Sequence, residues 1–530
     1  MKYIKISIVI LLVSFISIFA YKLTTNNSSN KISLTKEQMK EMLSYTIDGN
    51  KTSSMPTKGS GYKVKSITCK SGSILTWDND NWLLEVEKLE SEDLCNIDFT
   101  TGTGSYTVTA VPSISCSLDS TSKTTTENGQ VTFYTDAIID SVSGCTNEIS
   151  DGKVVVKNVT SNSTCNINVS YIKLYDRLLT DNPTIKTRTD FSTPFTTNTA
   201  NTLYKAQEDN TDVYYFAGQD TASTPINNWV ILGEYYGKLY LYRRYTDDYQ
   251  SYTDYSSLED CQKYGDNCEE EVIAFEGEDI YWRIIRTNSD GSIRLLYSGT
   301  SPDTTSGYIG ISEFNENRNS PKYVGYMYGD SDTTLEEART NTNDSTIKTF
   351  VDTWYENNFT AYTNYLSNDA VYCNDRELAS GKTYSTSTSF TFKSSERLIT
   401  NKTPTYDCTN KKDAFSVNNN ETKLKYPIAL MTADESLYAG INLDGKYDNS
   451  SLWLNTNSAY ELISKKSWWT MSSSGLSDQR AYQYFAEGDS WVSVQYYIRP
   501  VINLKSCVQW KSGDGSASDP YTIKETETGC

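Results

Sequence analysis

At 530 residues the chain is long enough for three or so domains of ordinary size. Its 48 Lys and Arg against 67 Asp and Glu give a formal net charge of −19, a field that repels nucleic-acid phosphates. Histidine is absent, which removes Ser-His-Asp and Cys-His catalysis and the usual ligand of a catalytic zinc.

Residues 1–22 open with Lys2 and Lys5, continue as an apolar run from Ile6 to Tyr21 and end at Lys22. They read as a signal peptide or a short uncleaved membrane anchor. Only Ala20 supplies a small residue for cleavage, and export is expected in both cases, to the cell surface or beyond it. No cysteine follows directly on the apolar run, so a lipid-anchored lipoprotein is not expected. Residues 23–44 are a polar tether. Eleven cysteines in an exported chain argue for disulfides, and the lack of any CxxC pair argues against a metal site.

Two stretches then repeat. Residues 81–99 align without gaps on 151–169, placing Cys95-Asn96-Ile97 on Cys165-Asn166-Ile167 and Val86 and Leu89 on Val156 and Val159. Cys69 and Cys145 stand upstream in matching positions. Alternating apolar and polar residues mark half-buried strands, so residues 45–100 and 101–172 are expected as two small β-sandwich, Ig-like modules, stapled by Cys69–Cys95 and Cys145–Cys165. Cys116 is the cysteine left over. "WDNDNW" (77–82) clusters Asp, Asn and Trp in a way that suggests calcium or sugar, but Asn-Asp-Asn between strand aromatics is turn chemistry.

Residues 173–530 form one larger α+β region, making the whole chain mainly β with a few helices. Short strands are expected at 213–218, 229–233 and 238–242, with Cys261–Cys268 as a loop staple. Residues 280–299 form a hairpin across Asn288-Ser289-Asp290-Gly291. Ser345 caps a helix within 343–359, whose Ile347, Phe350, Val351, Trp354 and Tyr355 make one apolar stripe. Cys373–Cys408 is a long-range bridge, and 432–440 is a short helix. Terminal strands follow at 467–473, 481–486, 491–497 and 498–504, and Cys507–Cys530 closes the tail. A period of two in "SWWTMSS" sends Trp469 to the core and Trp468 towards solvent, where an indole can stack a sugar ring. Arg499 is expected to pair with Glu435 or Asp434, and Pro500 to mark an edge or a bulge.

"YPIALMTADESLYAG", "WWTMSSS", "IRPVINLKS" and the closing "SGDGSASDPYTI" resemble a family of uncharacterised exported proteins of low-GC Gram-positive bacteria, and the resemblance covers 173–523. More remotely, the helix, the W-T strand and the R-P strand are similar to bacterial C-type-lectin-like domains, including the formylglycine-generating-enzyme branch. That resemblance implies a C-type-lectin-like fold for the region. Neither the Glu-Pro-Asn nor the Trp-Asn-Asp motif of calcium-dependent lectins occurs in the C-terminal region, and no active-site cysteine pair stands out, so neither function carries over.

Three functions fit. The first is a cell-surface binding or adhesion protein, with a lectin-like head on a β-module stalk. Its glycan or protein ligand would meet the loops 474–480 and 487–491, near Trp468, Tyr484, Asp489, Trp491 and Tyr496. The second is a structural envelope protein. The third is a glycoside hydrolase using two carboxylates, with Asp434, Glu435, Glu276 and Glu278 as the available acids. No catalytic constellation and no cofactor motif is recognisable, and the partners expected are an extracellular ligand and, through residues 4–21, the membrane.

Overall fold

A computed structural model describes residues 41–530 apart from 59–61, 79–81, 91, 102–104, 116, 127–128, 151, 194, 196–198, 246–251, 305, 386–389, 442–451, 456–466, 475–479 and 485–488. For 101, 455, 480–484 and 489 the backbone alone is described. The expected anchor at 1–22 and Cys116 therefore lie outside the described residues. The chain is mainly β, with 42% strand and 14% helix, and divides into two units, residues 1–171 and 172–530.

The sequence repeat in the first unit is also a repeat of topology. In the earlier half one sheet runs in the order Asn50–Thr52, Leu43–Ile47, Cys95–Thr101, Tyr62–Cys69. In the later half the order is Ser122–Thr126, Ser105–Pro112, Ser163–Ser170, Ile138–Ser143. In both, the last strand lies parallel to the first and antiparallel to the strand leading to the upstream cysteine. A second sheet closes each core, Ile74–Asp78 with Leu83–Lys88 in one and Asn147–Ser150, Lys153–Val159 and Gly129–Tyr134 in the other. The two tryptophans of "WDNDNW" pack edge-to-face at 5.4 Å and both meet Phe99, so they belong to the core of the first half.

Disulfides join Cys69 to Cys95 and Cys145 to Cys165 in this unit, and Cys261 to Cys268, Cys373 to Cys408 and Cys507 to Cys530 in the other. Such a set fits an oxidising, extracellular setting. Asp93 lies beside Cys69 and Cys95, but both sulfurs are spent in the bridge, and the carboxylate accepts from the Ser71 and Ser73 amides at 2.6 and 2.8 Å. Among the described residues no helix is long and apolar enough to cross a membrane.

Each small core is thin, so its bridge carries much of its stability. Replacing Cys69 and Cys95 together by alanine is expected to cost about 3 kcal/mol, the loop entropy released to the unfolded chain. Hydrogen exchange over 62–101 should then rise by about two orders of magnitude, and unchanged protection would refute the estimate.

The second unit is built on the hairpin Asp279–Thr287 and Ile293–Tyr297, whose side chains are almost all buried. It sits inside a ten-stranded sheet that also contains Trp229–Glu234, Pro500–Leu504 and Ile428–Leu430. A five-stranded sheet holds Ile311–Glu313, Gln495–Tyr497, Trp468–Ser473, Arg480–Tyr484 and Asp489–Trp491, in that order. Residues 491–497 are thus two strands rather than one. Asp489–Trp491 pairs with Arg480–Tyr484, and after a turn Gln495–Tyr497 pairs with Ile311–Glu313.

The long helix Thr346–Asn358 is capped by Ser345, whose Oγ accepts from the Lys348 amide at 3.2 Å. It buries Ile347, Val351, Trp354 and Tyr355 against the strands Ile311–Glu313 and Ile428–Leu430, while Phe350 stays half-buried. The short helix Ala433–Ala439 opens with a reciprocal capping box between Thr432 and Glu435 and closes at Gly440, whose φ of +119° only glycine adopts freely. Pro500 is not at an edge: it opens a strand paired on both sides, and the first position of a strand is where a missing N–H is tolerated.

Candidate functional site

The expected surface around the terminal strands is only partly present. Trp468 is 2% exposed, so the reading that turned it towards solvent is corrected. All six residues of Trp468–Ser473 are buried, because the strand is covered on both faces and the period of two no longer separates wet from dry. The Arg499 guanidinium lies over the Trp468 ring at 4.7 Å, filling the place a sugar would take. Trp469 packs edge-to-face on Phe314 and Tyr496 and donates Nε1–H to the Ser312 carbonyl at 3.0 Å. Trp491 is 38% exposed beneath the Arg318 guanidinium, and half-buried Tyr496 donates to Ser490 Oγ. The side chains of Tyr484 and Asp489, and most of both loops, lie outside the described residues.

Arg499 is likewise corrected. It donates to the carbonyls of Tyr297 and Leu454 and to the Ser298 hydroxyl, and neither Glu435 nor Asp434 is paired with it, both being held by other arginines. Glu435 is spent on two other arginines, accepting from Arg286 Nε at 3.0 Å and lying 2.6 Å from Arg294 Nε, while Arg286 also reaches Glu208 at 2.9 Å. Burial alone would raise the Glu435 carboxyl, but Arg294 and Arg286 hold it below the ordinary range. Arg397 grips both oxygens of Asp434, at 2.8 and 2.6 Å, and one of Asp375 at 2.5 Å. Burial pushes Asp375 up to about 6, against the pull of Arg397. Glu278 accepts from the Phe275 amide in a turn where Glu276 is exposed. The four acids offered for glycoside hydrolysis are therefore clamp residues or turn residues.

An open groove of ≈770 Å³ runs along the long helix beside its core stripe, with Phe350 and Trp354 in its lining. Thr346, Thr349, Thr353 and Asn357 recur at helical spacing and form one wall. The other wall is Tyr236–Leu239, at the loop that joins the strand Trp229–Glu234 to the strand Leu239–Tyr245. In that loop Tyr235 turns inward, its hydroxyl 2.6 Å from that of Tyr297, and Tyr236 turns outward and is 56% exposed.

Phe350 supports the groove from below. It lies so close to Gly310 that a Cβ there would stand 2.7 Å from the ring, and Gly310 adopts φ +144°. At the far end Tyr328 packs against Tyr323, and the Asn315 side chain, 2% exposed, also lines the groove. The lining is thus hydroxyls, amides and ring faces, with Lys238, Glu316 and Asp344 as its charged members. Among the described residues no arginine lines it to grip phosphate or carboxylate.

This surface escaped a reading of the sequence because the Thr and Asn stripe looks like any solvated helix face. Only the tertiary approach of Tyr236 gives it an opposite wall. No protein-family model, no curated protein and no solved structure matches the chain, so the chemistry of the groove has to stand for itself.

Proposed function

We propose that the chain is an exported surface protein that binds neutral glycans, with residues 172–530 as the binding head. The observation that carries this reading is the groove: exposed Tyr236 and half-buried Tyr328 offer ring faces, and the Thr and Asn stripe offers hydrogen-bond donors and acceptors at one-turn intervals. Saccharides present that pattern in return, apolar C–H faces edged by hydroxyls. The volume exceeds a monosaccharide and lies within the usual range of ligand clefts. The β-modules at 45–172 serve in this proposal as a stalk, and the resemblance of 173–523 to exported proteins of low-GC Gram-positive bacteria belongs to it.

The test is a glycan array with the full chain and its Tyr236→Ala variant. Tyr236 is exposed, so its loss should leave melting unchanged and weaken the retained glycans about tenfold or more. A folded wild type that retains no glycan, or binding indifferent to Tyr236, refutes the proposal.

A further inference from the structure

A smaller charged cavity, of ≈250 Å³, lies among the clamps, and its three arginines are already engaged by Glu208, Glu435, Asp434 and Asp375. The groove along the long helix is larger, and its wall has a period. Thr346, Thr349, Thr353 and Asn357 follow one another at steps of three or four residues, so one of them meets the groove at each turn of the helix. Thr349, Thr353 and Asn357 are exposed, and Thr346 is half-buried. Thr349 Oγ1 donates to the Ser345 carbonyl at 3.2 Å, and Thr353 Oγ1 donates to the Thr349 carbonyl at 2.8 Å. Thr346 Oγ1 accepts from the Glu316 amide at 3.3 Å. A threonine hydroxyl whose proton is committed to the preceding turn keeps its remaining lone pair for a ligand. Thr349 and Thr353 therefore offer acceptors one turn apart, and Asn357 adds an amide with both a donor and an acceptor.

Aromatic rings stand at the two ends of this ladder. Tyr328 pairs with Asn343, just before the helix begins. Tyr236 follows Tyr235, whose ring lies 6.4 Å from that of Trp354, one turn before the helix ends. The strand that leads to Tyr236 meets the same end of the helix, where a Cβ on Gly233 would stand 2.6 Å from the Phe359 ring. The 13 residues of the helix span roughly 20 Å, so no single sugar reaches both rings. Lys238 against Glu316 and Asp344 leaves the lining close to neutral.

Resting on the glycan reading of this groove, we propose that its ligand is a linear, extended chain of β-1,4-linked neutral hexopyranoses, bound as an internal segment. Such a chain advances per sugar by about one turn of helix, ~5 Å, so successive sugars meet successive rungs of the ladder. Their hydroxyls donate to the threonine acceptors, and the sugars at the two ends stack on Tyr236 and Tyr328. A chain of about four sugars, one per turn, fills the ladder from Thr346 to Asn357. An α-1,4-linked chain coils and leaves that register. Because the groove is open, the chain needs no free end to enter it.

Titration calorimetry on the full chain would use the di-, tetra- and hexasaccharides of three series: cellodextrins, N-acetylated chitooligosaccharides and maltodextrins. In a β-1,4-linked series the tetrasaccharide should bind about tenfold or more tighter than the disaccharide, and the hexasaccharide little tighter again. Which of the two series binds tells a plain glucose chain from an N-acetylated one. Thr349→Val with Thr353→Val keeps the shape of the wall and removes two hydroxyls. That pair should weaken the tetrasaccharide about tenfold with melting unchanged, and Thr349→Ser with Thr353→Ser should restore it. A disaccharide that binds as tightly as its tetrasaccharide, maltotetraose that matches the β-linked chains, or a valine pair that binds as wild type overturns the proposal. Retention by the array of some other glycan through Tyr236, with neither β-1,4-linked series binding, overturns it and leaves the groove reading standing. Retention of no glycan at all overturns both.

Discussion

Replacing Glu435 by glutamine is expected to destabilise the second unit by about 3–5 kcal/mol, the usual penalty for removing one partner of a buried ion cluster. Arg286 would keep Glu208 and Arg294 would lose the carboxylate it pairs with, and both guanidiniums are almost wholly buried. The capping box is a smaller part of the loss, since glutamine can still reach the Thr432 amide that Glu435 accepts at 2.9 Å. The sign with pH follows from the direction of the shift. Glu435 is held below its ordinary range in the fold, so its contribution is complete above the unfolded value and disappears as pH falls through the lowered folded one. Urea denaturation at neutral pH should show the full difference between wild type and Glu435→Gln, and the two should converge in acid. A difference that persists undiminished in acid, or none at neutral pH, contradicts the clamp.

Trp468→Ala and Trp469→Ala are each expected to cost about 3–5 kcal/mol, because both remove a large, fully buried ring from a close-packed core. The Trp469 variant also orphans the Ser312 carbonyl and empties the space between Phe314 and Tyr496. The Trp468 variant takes away the surface on which Arg499 lies, in a strand with no wet face. Thermal melts measure both. A Trp468→Ala chain that melts with the wild type would put the indole at the surface after all.

What could be read beforehand was local. The 3.6-residue stripe and Ser345 marked the long helix, Asp290-Gly291 marked the hairpin turn, and the repeated Cys-Asn-Ile marked two units whose strands share one order. Period-two reasoning failed at Trp468 because it assumes one face in water, which only tertiary packing decides. Arg499 was matched to Glu435 or Asp434 on charge alone, yet it donates to carbonyls of segments near 297 and 454 while those acids serve other arginines. Both cavities escaped for the same reason. The groove joins residues 236–239 to a helix more than a hundred positions later, and the smaller charged cavity joins residues from 208 to 472. No window of sequence contains either site.

The groove is long, open and close to neutral, so its selectivity would come from ring faces and the spacing of hydroxyls, and its affinity should depend little on salt.

The most direct measurement is hydrogen–deuterium exchange of the full chain with and without the best glycan from the array. Slowed exchange confined to 236–239, 312–316 and 346–358 is the predicted result. Slowed exchange in the loops 474–480 and 487–491 instead, or no change anywhere at saturation, would contradict the placement of glycan binding in the groove.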